Sequence, residues 1–190
     1  MSTHTWVKDP GAEAMWDSWQ DAHRPNIELA FKLLPKVESV YEVGCGSGPN
    51  LRMLREKFPK FRLGGSEPHD KLREFAAEHL GLCVDEAELP WTPKGWDVFV
   101  TCYVMAYVEP LVIEETFRRA ASRYFIVLEP TAWAIPFVKP SMYRQGSKKL
   151  PLYAHDYLSI FKRTGWRVMW RWPIVPHYQG LNNLIIAEHN

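Results

Sequence analysis

The sequence predicts an α/β protein: one domain built on a doubly wound, mostly parallel seven-stranded sheet, with a closing antiparallel strand and an N-terminal helical cap. Three observations carry this. Apolar, β-branched runs alternate with segments whose apolar residues recur at helical spacing, as a parallel sheet covered on both faces requires. The run ending in Val43 breaks into Gly44-x-Gly46-x-Gly48 followed by Pro49, which reads as strand, tight turn and helix start. Two apolar stretches near the end, 167–172 and 184–187, pair as a hairpin. With 190 residues, the chain is long enough for one domain with a sizeable core.

In order, residues 1–35 form the cap, 36–130 the core, and 131–190 a loop and the closing hairpin. Residues 11–20 carry Met15, Trp16 and Trp19 at helical spacing, and 25–34 carry Ile27, Leu29, Ala30, Leu33 and Leu34. Pro35 stops that helix before the first strand, 37–43. The helix after the glycine turn spans 49–58. The second strand, 61–66, is short and holds Gly64 and Gly65; Glu67-Pro68 ends it, and 71–80 is helical. A short third strand, 82–84, leads into acidic Asp85-Glu86-Ala87-Glu88. The fourth strand, 96–102, is strong; 111–121 is helical and 123–128 is the fifth strand. Residues 131–151 form a long Pro- and aromatic-rich loop, a length that usually carries function. A helix over 152–163 stops at Gly165.

Composition is that of a globular protein, 46% hydrophobic and 24% charged, with nine Trp and fifteen Pro that suit aromatic pocket walls and loops. No apolar run reaches membrane-spanning length, and the first ten residues have no signal-peptide core. Cys45, Cys83 and Cys102 fit no metal or disulfide spacing, so reduced thiols, no metal and a cytoplasmic setting are expected. The net charge of +1 is unevenly spread. Residues 62–115 hold eleven acidic side chains against four basic ones, and residues 139–171 hold eight basic against one acidic. Such asymmetry marks either an anionic partner or a solvated face.

The glycine spacing departs from the G-x-G-x-x-G of hydride-transfer dinucleotide sites. Glu42-Val43-Gly44-Cys45-Gly46-Ser47-Gly48 instead resembles the first motif of class I S-adenosylmethionine-dependent methyltransferases. Three further strand ends are similar to that family: Gly65-Ser66-Glu67-Pro68, with Ser66 where an apolar residue is usual; Asp85 to Trp91; and Asp97 to Tyr103. The resemblance covers residues 37–130 motif by motif and implies a Rossmann-like fold, S-adenosylmethionine as cofactor, and methyl transfer to a small molecule. It implies that Gly44, Cys45, Gly46, Gly48 and Asn50 form the cofactor turn. Glu67 with Pro68 would meet the ribose, Asp85 and Glu86 the adenine, and Cys102 the methionine end. Glu42 either reaches the cofactor's amino group or only caps the turn, and Arg24 either pairs its carboxylate or is a surface residue.

The sulfonium is already activated, so the protein's task is alignment and water exclusion, with a general base where the acceptor carries a proton. His155 is the candidate base, weighed against a capping or surface histidine; His177 and Glu129 are further candidates. Trp16, Trp19, Tyr103, Tyr107 and Trp133 are candidate pocket walls, weighed against ordinary packing. The acceptor expected from the basic stretch is anionic. Two other readings stay open: a nucleic-acid methyltransferase, disfavoured by the near-neutral total charge, and a cofactor-binding regulatory protein without chemistry.

Overall fold

The computed structural model describes residues 20–130, 141–145, 148–153, 155–177 and 180–190. Strands β1 (Ser39–Val43), β2 (Arg62–Ser66), β3 (Val84–Asp85), β4 (Val98–Cys102) and β5 (Tyr124–Pro130) alternate with helices. These are α1 (Gln20–Leu33), α2 (Pro49–Lys57), α3 (Asp70–Leu80) and α4 (Pro110–Arg119). A two-stranded arm follows, β6 (Ser141–Gln145) and β7 (Lys148–Leu152), then α5 (Tyr157–Thr164), β8 (Trp166–His177) and β9 (Gly180–His189). The seven-stranded sheet has the order β3-β2-β1-β4-β5-β9-β8. Strands β1 to β5 pair in parallel, β9 runs antiparallel to β5, and β8 antiparallel to β9. Because β1 lies between β2 and β4, the chain order reverses there, and the crevice outside the carboxyl ends of β1 and β4 is where such sheets take ligands.

Period-two alternation splits the core across the sheet. Val40, Val98, Val100, Ile126 and Ile186 pack on one face against Ile27 and Phe31 of α1 and Met53 and Leu54 of α2. Tyr41, Phe99, Phe125 and Ile185 pack on the other against Ile113 and Phe117 of α4 and Tyr157 and Phe161 of α5. The two β2 glycines sit where neighbours crowd both faces. A Cβ on Gly64 would lie 2.6 Å from the Trp96 ring, and one on Gly65 would lie 3.1 Å from Cys45 Sγ and from the Glu42 carbonyl oxygen. At the edge opposite the crevice, Asp97 Oδ2 accepts from the backbone N–H groups of Glu38 (2.8 Å) and Ser39 (2.9 Å) and from Ser39 Oγ (3.0 Å). That clamp fixes the starts of β1 and β4 relative to one another.

Three expectations are corrected. The helix expected over 25–34 begins at Gln20 and takes Pro25 into its interior, while residues 11–19 lie outside the described residues. The stretch read as a loop holds the β6–β7 arm, which its mixed polar, Lys- and Pro-bearing sequence did not announce. The helix expected from 152 begins only at Tyr157: Leu152 is held in the arm opposite Ser141, and Asp156 caps the helix by accepting the Ser159 N–H at 3.1 Å.

Candidate active site

Four strand ends build the crevice. After β1, Gly44, Gly46 and Gly48 hold φ of 69°, 57° and 88°, left-handed values that favour glycine, and Pro49 starts α2. A Cβ on Gly44 would lie 2.5 Å from Val104 Cγ2, so the glycine turn packs directly against the turn that follows β4. Cys45 is buried in the turn, its N–H donating to the Ser66 carbonyl at 2.9 Å.

Glu67, at the end of β2, is buried and tied to the glycine turn. Its Oε2 accepts from the Gly46 N–H and its Oε1 from the His69 N–H, both at 2.9 Å. Burial raises its pKa against the pull of those two bonds. Arg73 Nη1 donates to the Glu67 carbonyl at 3.0 Å and to that of Pro68 at 3.4 Å, fixing the half-buried Pro68. Asp85, ending β3, accepts the Glu67 N–H on its carbonyl at 3.0 Å and the Tyr41 hydroxyl on Oδ2 at 2.7 Å. Glu86 is exposed, 3.6 Å from Arg73 Nη2.

Glu42, on β1, is 2% exposed. Its Oε1 accepts from Asn50 Nδ2 at 2.7 Å, and its Oε2 is buried with no hydrogen-bond partner among the described residues. Burial pushes its pKa up to about 8, with the charge of Glu67 adding to the rise. Arg24 lies half-buried in α1. The structure therefore brings Glu42, the glycine turn, Asn50, Glu67 and Asp85 to one edge of the sheet.

The β4 side closes the crevice. Cys102 is buried at the strand's end, and burial raises its thiol pKa as it does that of Cys45. Tyr103, also buried, holds φ 57°, a conformation that costs a tyrosine energy, and its N–H donates to the Leu128 carbonyl at 3.1 Å. Tyr107 is half-buried in the short 3₁₀ turn Met105–Tyr107. Glu129 grips this turn from beneath: Oε1 accepts from the Val104 and Met105 N–H groups at 2.8 and 3.1 Å, and Oε2 from Ala106 at 3.4 Å. Burial raises the Glu129 pKa to about 7 in spite of them. From the arm side, the Tyr153 N–H donates to the Ala106 carbonyl at 2.7 Å and His155 Nε2 lies 2.8 Å from the Met105 carbonyl. His155 is buried, which lowers its pKa, and its ring also faces the Val108 carbonyl. It precedes the helix cap and does not open the helix.

Trp16, Trp19 and Trp133 lie outside the described residues, and His177 falls in β8. Sequence reasoning passed over Tyr41, Arg73 and the Asp97 clamp; a tyrosine inside an apolar strand gives no sign that its hydroxyl reaches a carboxylate two strands away. Among the described residues no group of His, Cys, Asp and Glu is placed to hold a metal ion, and no helix is long and apolar enough to cross a membrane.

No protein-family model and no curated protein matches the sequence. Solved structures do match in shape. A sugar N-methyltransferase from Streptoalloteichus superposes with a TM-score of 0.70 at 13% identity, covering 100% of this chain and 97% of that one. The mitomycin 7-O-methyltransferase gives 0.69 at 14%, covering 96% of this chain, which spans only 59% of that protein. The magnesium protoporphyrin IX methyltransferase of Synechocystis, solved with S-adenosylmethionine bound, gives 0.61 at 14%, covering 89% of this chain and 80% of that one. At such identities the likeness is one of architecture: this chain has the class I S-adenosylmethionine-dependent methyltransferase fold.

Proposed function

We propose that the protein is an enzyme that binds S-adenosylmethionine at this crevice and moves its methyl group to a small-molecule acceptor. The observation that carries the reading is the buried Glu42 carboxylate, whose Oε2 has no hydrogen-bond partner among the described residues, beside the glycine turn. A buried acceptor of this kind is costly unless a donor meets it, and the cofactor's ammonium group supplies one. Asn50 orients Glu42 for that contact; Glu67 accepts from the ribose, Asp85 from the adenine amine, and the Glu86 backbone meets the ring. Gly44, Cys45, Gly46 and Gly48 let the ligand approach the main chain, Pro68 and Cys102 flank it, and Arg24 pairs its carboxylate. The bound group contributes an electrophilic methyl.

The acceptor lies on the side of Tyr103, Tyr107 and the arm. Here the chain aligns the nucleophile and keeps water out. Residues 139–171 hold eight basic side chains against one acidic, which favours an anionic acceptor. An acceptor whose attacking atom is itself ionised, such as a carboxylate, has no proton to lose and needs no general base. The Met105 carbonyl at His155 Nε2 takes the neutral ring's one N–H, so we assign His155 to holding the acceptor-side turn.

Incubation with methyl-labelled S-adenosylmethionine and matched panels of small acids, alcohols and amines tests this. Labelled product with acids foremost is expected; no S-adenosylhomocysteine with any acceptor, while the ligand still binds, would favour a regulatory protein without chemistry.

A further inference from the structure

Tyr41 stands in the middle of β1, 1% exposed, on the face away from α2. Its ring is held at centroid distances of 5.1 Å from Trp96, 5.8 Å from Phe99 and 6.1 Å from Trp91. Arg62 in turn lies 3.8 Å over the Trp96 ring. The hydroxyl must cross β2 to reach β3, and it does so above Gly64, where a Cβ would lie 3.2 Å from Tyr41 Cδ2 and 2.6 Å from Trp96. The glycine and the three rings together aim one O–H at Asp85 Oδ2. The Glu67 N–H holds the Asp85 main chain through its carbonyl, so the residue is tied at its backbone and at one carboxylate oxygen.

We infer that Tyr41 is a positioning residue that sets the purine preference of this site by holding the Asp85 carboxylate in the orientation that meets the ligand. The inference rests on the S-adenosylmethionine reading above. The tyrosine hydroxyl donating to Oδ2 holds the carboxylate in one orientation and leaves Oδ1, an acceptor, for the ligand. An acceptor there matches the 6-amino group of adenine and opposes the 6-oxo group of hypoxanthine, since a site built for one hydrogen-bond partner rejects the analogue that cannot supply it. Without the Tyr41 hydroxyl the carboxylate can swing away from the purine edge, and the distinction fades.

Calorimetric titration with S-adenosylhomocysteine and its inosine counterpart, S-inosylhomocysteine, tests it. The wild type should bind the adenosyl ligand at least tenfold more tightly. Tyr41→Phe keeps the ring and its packing; it should cut that ratio severalfold, a readout that a general loss of stability or affinity does not move. Asp85→Asn gives an independent check. With Tyr41 donating to the amide oxygen, the amide N–H₂ faces the purine, so the preference should turn toward the inosyl ligand. In the Tyr41→Phe/Asp85→Asn double variant the amide is free to flip, and the inversion should disappear. An unchanged ratio in Tyr41→Phe, or no turn of preference in Asp85→Asn, overturns the inference while leaving the cofactor reading intact. Failure of the wild type to bind either ligand overturns the cofactor reading itself.

Discussion

Replacing Glu42 by glutamine isolates the electrostatic half of the proposed cofactor site. Burial, with Glu67 nearby, holds the folded pKa at about 8 against an ordinary 4.5. A carboxyl with a raised folded pKa binds its proton more tightly in the native state. Its contribution is therefore fully present below about pH 4.5 and is lost as pH rises through about 8. One pKa unit corresponds to about 1.4 kcal/mol, so ionising Glu42 costs the ligand-free protein roughly 4 kcal/mol by pH 8 and under about 1 kcal/mol at pH 5. Glutamine keeps an oxygen for Asn50 Nδ2 and cannot ionise. Urea unfolding at both pH values should show Glu42→Gln gaining about 3 kcal/mol over wild type between pH 5 and pH 8; taking the difference cancels the other titrating groups. Affinity should move the other way. With no charge to meet the ammonium group, Glu42→Gln should bind S-adenosylhomocysteine at least about tenfold more weakly, since hydrogen bonds to charged groups contribute about 1.5–3 kcal/mol. A stability difference that is the same at both pH values, together with unchanged affinity, would refute the reasoning.

Glu67→Gln should be as harmful as Glu67→Ala, lowering melting temperature and weakening S-adenosylhomocysteine about tenfold, because its amide nitrogen must face either the Gly46 or the His69 N–H; a glutamine variant that binds normally contradicts this. Asp97→Ala should lower unfolding free energy by about 2 kcal/mol without changing ligand affinity, since it strips the acceptor from three donors at the far edge of the sheet. Burial opposes, but the Glu38 and Ser39 bonds leave the Asp97 carboxyl below its ordinary pKa, so its stabilisation is present above about pH 4 and fades as pH falls through the folded value; equal acid sensitivity in wild type and variant argues against it. All three cysteines are free, but only Cys83 is exposed. One thiol should therefore label quickly and two slowly, the slow pair slowing further with S-adenosylhomocysteine.

The sheet was legible because parallel strands buried on both faces write continuous apolar runs, and because three left-handed turn residues demand glycine. Glu42 and Glu67 could be located from their spacing to that turn, but not their states. That Glu42 lacks a second partner and that Glu67 already serves two N–H groups are consequences of packing. The arm escaped notice because Lys148, Lys149 and Pro151 are poor strand formers, and its ladder is set by pairing with 141–145. The helix expected over 152–163 would take in His155; the Asp156 cap starts it at Tyr157 instead, and the imidazole turns inward to Met105. Gly64 and Gly65 looked like weak points in β2, yet each makes room for a neighbour on its own face.

Calorimetric titration of the purified protein with S-adenosylhomocysteine and, separately, with NAD tests the central claim most directly. The account predicts saturable, one-to-one binding of S-adenosylhomocysteine and none of NAD, with a hundredfold excess over Kd raising stability by about 2.7 kcal/mol. Binding of NAD without binding of S-adenosylhomocysteine would contradict it.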